Sequence, residues 1–68
     1  MIPVDFDFTT LLKSIRSRYK RTSKRRMLQS IAKFDNTVNE DEILDFLINS
    51  GFVVEDGMYR KYAIRLKL

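Results

Sequence analysis

The stretch VNEDEILDFLINSGFVVEDG, residues 38–57, decides the fold, because it carries both ends of a helix and the start of a hairpin. Asn39 is an N-cap residue type and Glu42 stands three positions later, the pattern of a capping box. Val38, just before the cap, is placed to staple onto Ile43. Glu40, Asp41 and Glu42 fill the first turn, where the helix dipole favours negative charge. Ile43, Leu44, Phe46, Leu47 and Ile48 then cover more than half the circumference, which predicts a helix over about 40–50 that is largely buried. Gly51 supplies the left-handed residue after the helix end, and Phe52 the apolar contact that follows it.

Beyond that helix, Asp56-Gly57 reads as the turn of a hairpin covering about 52–67. A two-residue loop would set Phe52 and Val54 opposite Tyr62, Ile64 and Leu66. A three-residue loop, Glu55-Asp56-Gly57, gathers all five on one face, and burial favours it. The outer face then shows Tyr59, Lys61, Ala63, Arg65 and Lys67. Thr37-Val38 is a candidate third strand.

Upstream, Phe8, Leu11, Leu12, Ile15 and Tyr19 recur at helical period and predict a first helix over about 8–20. Asp7 is its expected N-cap, with Phe6 set to staple onto Leu11. A second helix over about 24–34 is capped by Thr22 or Ser23 and buries Met27, Leu28, Ile31 and Phe34. Its other side stacks Arg25, Arg26, Gln29 and Lys33 at spacings of three and four. The expectation is an α+β chain, three helices followed by a C-terminal β-hairpin, forming one domain over residues 1–68.

Composition supports one small domain. The chain has 68 residues, 44% of them hydrophobic and 32% charged, which are globular proportions. A chain of this size buries only roughly 60% of the surface it exposes unfolded, which leaves little room for a deep substrate pocket. It has neither Cys nor His, so thiol and imidazole chemistry, disulfides and ordinary zinc sites are excluded. Asp41 and Asp45 are paired at i, i+4, but no shaped phosphate site accompanies them. The loop from Asp35 opens like a calcium loop, yet Glu40 stands where the glycine is needed. An enzyme is not expected, nor any cofactor or metal. No stretch is apolar for long enough to span a bilayer, and the acidic start is unlike a secretory signal, so a cytoplasmic or nucleoid-associated protein is expected.

The net charge of +4 hides a strong segregation. From Lys13 to Lys33 there are nine cations and no acid; from Asp35 to Asp56 there are seven acids and no base. The segment from Arg60 to Lys67 returns to four cations with no acid among them. Solvated faces ordinarily mix signs, so an unmixed basic block points to phosphates. The expected nucleic-acid contacts are Arg16, Lys20, Arg21, Lys24, Arg25, Arg26 and Lys33 on the first two helices and their link. Tyr59, Lys61, Arg65 and Lys67 on the hairpin are the second anchor, and Gln29 is placed to read a base edge.

Three helices and then a hairpin, with Asn49-Ser50-Gly51-Phe52-Val53-Val54 passing between them, resemble the winged helix-turn-helix. The resemblance implies DNA binding, with the third helix in the major groove and Asp56-Gly57 at the wing tip. The chain departs from that pattern where it matters. Its third helix exposes Asp41, Glu42, Asp45 and Asn49 and holds no Lys or Arg, so phosphates would repel it. Asp7 to Arg16, Leu47 to Val53 and Lys61 to Leu66 are also similar to pieces of the N-terminal half of small-subunit ribosomal protein eight, a resemblance that implies contact with RNA. That family has a strand where this chain has its second helix, and its C-terminal half has no counterpart here. The expected function is a small DNA-binding protein, regulatory or architectural, with DNA favoured over RNA. The alternative is a protein-interaction module, an adaptor or inhibitor, in which Asp41, Glu42, Asp45 and Asn49 contact a basic partner. That partner surface can also belong to another copy of the chain, which would make a homo-oligomer.

Overall fold

The computed structural model describes residues 2–57 and 61–65, with the side chain of Asp56 left aside. The order of elements is α1 (Phe8–Arg18), β1 (Arg21–Ser23), α2 (Lys24–Phe34), α3 (Glu40–Asn49), β2 (Val53–Asp56) and β3 (Lys61–Ile64). The α+β class, the three helices and the C-terminal hairpin are as the sequence predicts.

Each helix begins at a side-chain cap. Asp7 accepts the Thr10 N–H at 3.0 Å, Ser23 accepts the Arg26 N–H at 3.3 Å, and Asn39 accepts the Glu42 N–H at 3.2 Å. Of the two residues offered for α2, Ser23 is therefore the cap. Past the end of α3, Gly51 adopts φ 80°, the Gly51 N–H meets the Ile48 carbonyl at 3.1 Å, and the Phe52 N–H meets the Leu47 carbonyl at 3.0 Å. These are the two bonds of a Schellman motif, and they require a left-handed residue where Gly51 stands.

Several expectations are corrected. The first helix stops at Arg18 because Tyr19 turns extended (φ −137°, ψ 130°) while still donating its N–H to Ile15. The third strand is Arg21–Ser23, not Thr37-Val38. It pairs antiparallel with β3, and the sheet order is β1-β3-β2. At Thr37 the Asp35 carboxylate takes both the backbone N–H (2.9 Å) and the hydroxyl (2.5 Å), which bends the chain into the α3 cap instead of extending it. Val38 is nevertheless buried in the core.

The hairpin register also differs from the expected one. Val53 pairs with Ile64, Val54 with Ala63, Glu55 with Tyr62 and Asp56 with Lys61, so Glu55 and Asp56 are strand residues rather than loop. Because Phe52 is held in the helix-end motif, the strand starts one residue later. Val53 faces inward with Tyr62, and Val54 is left exposed. Tyr59, Leu66 and Lys67 lie outside the described residues.

The core joins Leu11, Leu12 and Ile15 of α1, Met27 and Ile31 of α2, and Ile43, Leu44 and Leu47 of α3 to Val53 and Tyr62 of the hairpin. Two aromatic side chains expected inside are only partly so. Phe34 is 37% exposed and Phe46 41% exposed, because each sits at the margin of its helix's apolar stripe.

Two hydrogen-bonded carboxylates make the fold sensitive to acid. The Thr10 hydroxyl, then its N–H and the Lys13 charge, hold the Asp7 carboxyl below its ordinary value, against a small desolvation. The Thr37 hydroxyl and N–H do the same for Asp35. Groups with lowered folded pKa stabilise the fold above the unfolded value, and that stabilisation is lost as pH falls through the folded value. The thermal midpoint should therefore fall as the pH drops through and below the ordinary carboxylate range. Asp7→Asn and Asp35→Asn should each flatten that fall, and a wild-type slope in both variants would refute the assignment.

Candidate nucleic-acid interface

The basic residues converge because α1 and α2 lie side by side and β1 joins them. Between the two helices runs a groove lined by Ser14, Ile15 and Arg18 from α1 and by Ser30, Lys33 and Phe34 from α2. A second groove continues it past the end of α1, lined by Arg18, Tyr19, Arg26, Gln29, Ser30 and Lys33. A third lies at the start of α2 against the sheet edge, lined by Arg21, Thr22, Ser23, Arg26 and Lys61. Arg18, Ser30 and Lys33 belong to both the first and second grooves, and Arg26 to both the second and third. The three thus form one track lined by Arg18, Lys33, Arg26, Arg21 and Lys61, with no carboxylate among the described lining residues.

Arg26 occupies the middle of this track. Its guanidinium carbon lies 5.7 Å from the centre of the Tyr19 ring, within cation–π range. Such anchoring reduces the side-chain freedom lost when a phosphate is gripped. Gln29 is exposed and shares the second groove with Arg26 and Lys33, as the helical spacing predicts.

The other expected contacts are more scattered. Arg16, Lys20, Lys24 and Arg25 are exposed but line none of these three grooves. Arg25, expected on one side of α2 with Arg26, Gln29 and Lys33, does not line these grooves with them. Lys61 lies in the third groove, with Asp56 as its register partner on β2. Arg65 is exposed just past β3, its N–H bonded to the Phe52 carbonyl at 2.7 Å. Tyr59 and Lys67 fall outside the described residues.

Arg18, Tyr19 and Ser23 join the track without having been singled out. Arg18 was one of nine unopposed cations, so its charge was visible. Its position was not, since it depends on α1 ending there and crossing α2. Tyr19 had been read as part of the buried stripe of a longer helix, but the early stop turns it to the groove beside Arg26.

On α3, Asp41, Asp45 and Asn49 are exposed while Glu42 is half-buried beside the cap. Among the described residues no group of three or more His, Cys, Asp or Glu side chains converges as metal ligands, so Asp41 and Asp45 remain a pair. No helix among those residues is long and apolar enough to cross a membrane. No family model, no curated protein and no solved structure matches the chain.

Proposed function

We propose that this chain is a small DNA-binding protein, regulatory or architectural in role, that grips the phosphate backbone along the α1–α2–β1 track. The observation that carries the reading is the continuity of that track: five cations from four elements along three adjoining grooves, with no carboxylate among the described lining residues. Phosphates spaced along a duplex suit such a row, because each neutralised phosphate releases condensed counterions. The order of helices and then hairpin supports a winged-helix-like module. The acidic exposed side of α3 argues against the docking mode in which the third helix enters the major groove, so in this proposal the α1–α2 side faces the DNA. Gln29, beside Arg26 and Lys33, is then the side chain closest to a base edge.

The test is a titration of fluorescent duplex DNA at several salt concentrations. Five phosphate contacts predict a log–log slope of about −4.5, from about −0.9 per contact. Binding that persists near physiological salt with a slope in this range supports the proposal. Absence of binding well below physiological salt would refute it and leave the protein-interaction reading, for which the exposed Asp45 is the specific observation. Capping and dipole chemistry account for Glu40 to Glu42 in the first turn of α3, but not for a carboxylate in mid-helix.

A further inference from the structure

Four phenylalanines from three parts of the chain meet at the surface. Phe34 at the end of α2 contacts Phe6 edge to face with 5.8 Å between ring centres, and Phe6 contacts Phe8 in the same way at 4.7 Å. Phe8 stacks on Phe46 of α3 at 4.7 Å. The two ends of this ridge, Phe34 and Phe46, remain 37% and 41% exposed. Val4 lies two residues before Phe6, in a turn closed by the Phe6 N–H on the Pro3 carbonyl, and is fully exposed. Exposed aromatic ridges of this kind are uncommon on monomers and characteristic of interfaces.

The two ends differ in charge. At the Phe34 end, Lys33 precedes it on α2 and Arg18 faces it across the groove that all three line. Asp35 follows Phe34, but its carboxylate is engaged by the N–H and hydroxyl of Thr37. At the Phe46 end, the exposed Asp45 precedes it on α3. A surface that is apolar in the middle, basic at one end and acidic at the other is complementary to itself after a two-fold rotation. That rotation lays the acidic end of one copy on the basic end of the other, twice per pair.

We propose that the phenylalanine ridge is the interface of a two-fold dimer of this chain, with Asp45 of each copy facing Lys33 and Arg18 of the other. The pairing covers Phe34 and Phe46 and gives the mid-helix carboxylate a partner. Arg18 and Lys33 cannot hold Asp45 and a phosphate at once, so the dimer and DNA compete for that end of the track, while Arg26 and Lys61 lie farther along it. The proposal does not depend on DNA binding, and its test uses no nucleic acid.

The experiment is sedimentation velocity of the full chain over a concentration series, repeated for Asp45→Lys, Lys33→Glu and the double variant. The expected wild-type result is concentration-dependent exchange between monomer and dimer. Each single variant should weaken the dimer by about tenfold, and the double variant should return to within about threefold of wild type. Both positions are exposed, and thermal unfolding of each variant verifies the fold. Concentration-dependent amide shifts in wild-type protein provide a second measurement that needs no variant, and they should cluster on Phe6, Phe8, Phe34 and Phe46. A strictly monomeric chain at the highest attainable concentration would overturn the proposal. So would shifts elsewhere, a dimer indifferent to both single exchanges, or a double variant without recovery.

Discussion

The double variant Arg18→Glu with Arg26→Glu is expected to lose duplex DNA binding at physiological salt, with affinity reduced by about a thousandfold at lower salt. Each arginine lines two of the three grooves, so the pair contributes to the whole length of the track. Each exchange removes an attraction to phosphate and adds a repulsion, about 1 kcal/mol apiece for charges about 4 Å apart in water. The log–log salt slope should shrink by about 1.8, two contacts at about 0.9 each. The control is Lys20→Glu with Arg25→Glu, which changes the net charge equally but alters residues lining none of the three grooves. Its loss should be several-fold smaller, with a smaller change in slope. If both double variants lose affinity equally, overall charge governs binding and the track has no special role. All four positions are exposed, so thermal midpoints near the wild-type value should accompany both results.

What the sequence made legible here follows from the range over which each feature is determined. The caps Asp7, Ser23 and Asn39, and the Gly51 helix end, depend on residues within about five positions and were readable from spacing alone. Arg26, Gln29 and Lys33 share one side of α2, which is also a matter of helical period. β1 was missed because three residues are too few to show strand alternation, and because Thr22 and Ser23 also read as cap types. What makes Arg21–Ser23 a strand is the open edge of β3, some forty residues later. The hairpin register failed by a similar route. Burial does set it, but which valine is buried depends on whether Phe52 belongs to the strand or to the helix end, and the Schellman bonds decide that. Phe34 and Phe46 were read as core from their places in an apolar pattern. The pattern does not say how far a neighbouring element reaches, and Phe6 and Phe8 cover only one part of each ring. The charge segregation was plain in the chain, whereas the selection of Arg18 over Arg16 or Lys20 required the crossing of α1 and α2.

Replacing Ile31 by Ala should cost the largest share of stability of any single change considered, because one helix ties the core to the track. Ile31 is completely buried on the inner side of α2, while Gln29 and Lys33 on either side of it in sequence face the second groove. Removing its outer three carbons from a packed core costs the transfer free energy plus the cavity, about 3 kcal/mol. For a domain of this size that is a large fraction of a total of order 5 kcal/mol, and the thermal midpoint should fall by about 10–25 °C. Lys33→Ala on the opposite side of the same helix should move stability by no more than about 0.5 kcal/mol. Function separates the two variants in the opposite sense. Below its lowered midpoint, Ile31→Ala keeps the track and should bind DNA with a near-wild-type salt slope, and added DNA should raise its midpoint by mass action. Lys33→Ala should melt normally and lose about one contact from the slope. Melting curves with and without duplex, beside the salt titrations, distinguish these outcomes. A midpoint drop of only a few degrees for Ile31→Ala would mean that the surrounding side chains close over the deleted atoms. A lost slope in that variant while it is still folded would mean that the alignment of Arg26 and Lys33 depends on the packing beneath α2.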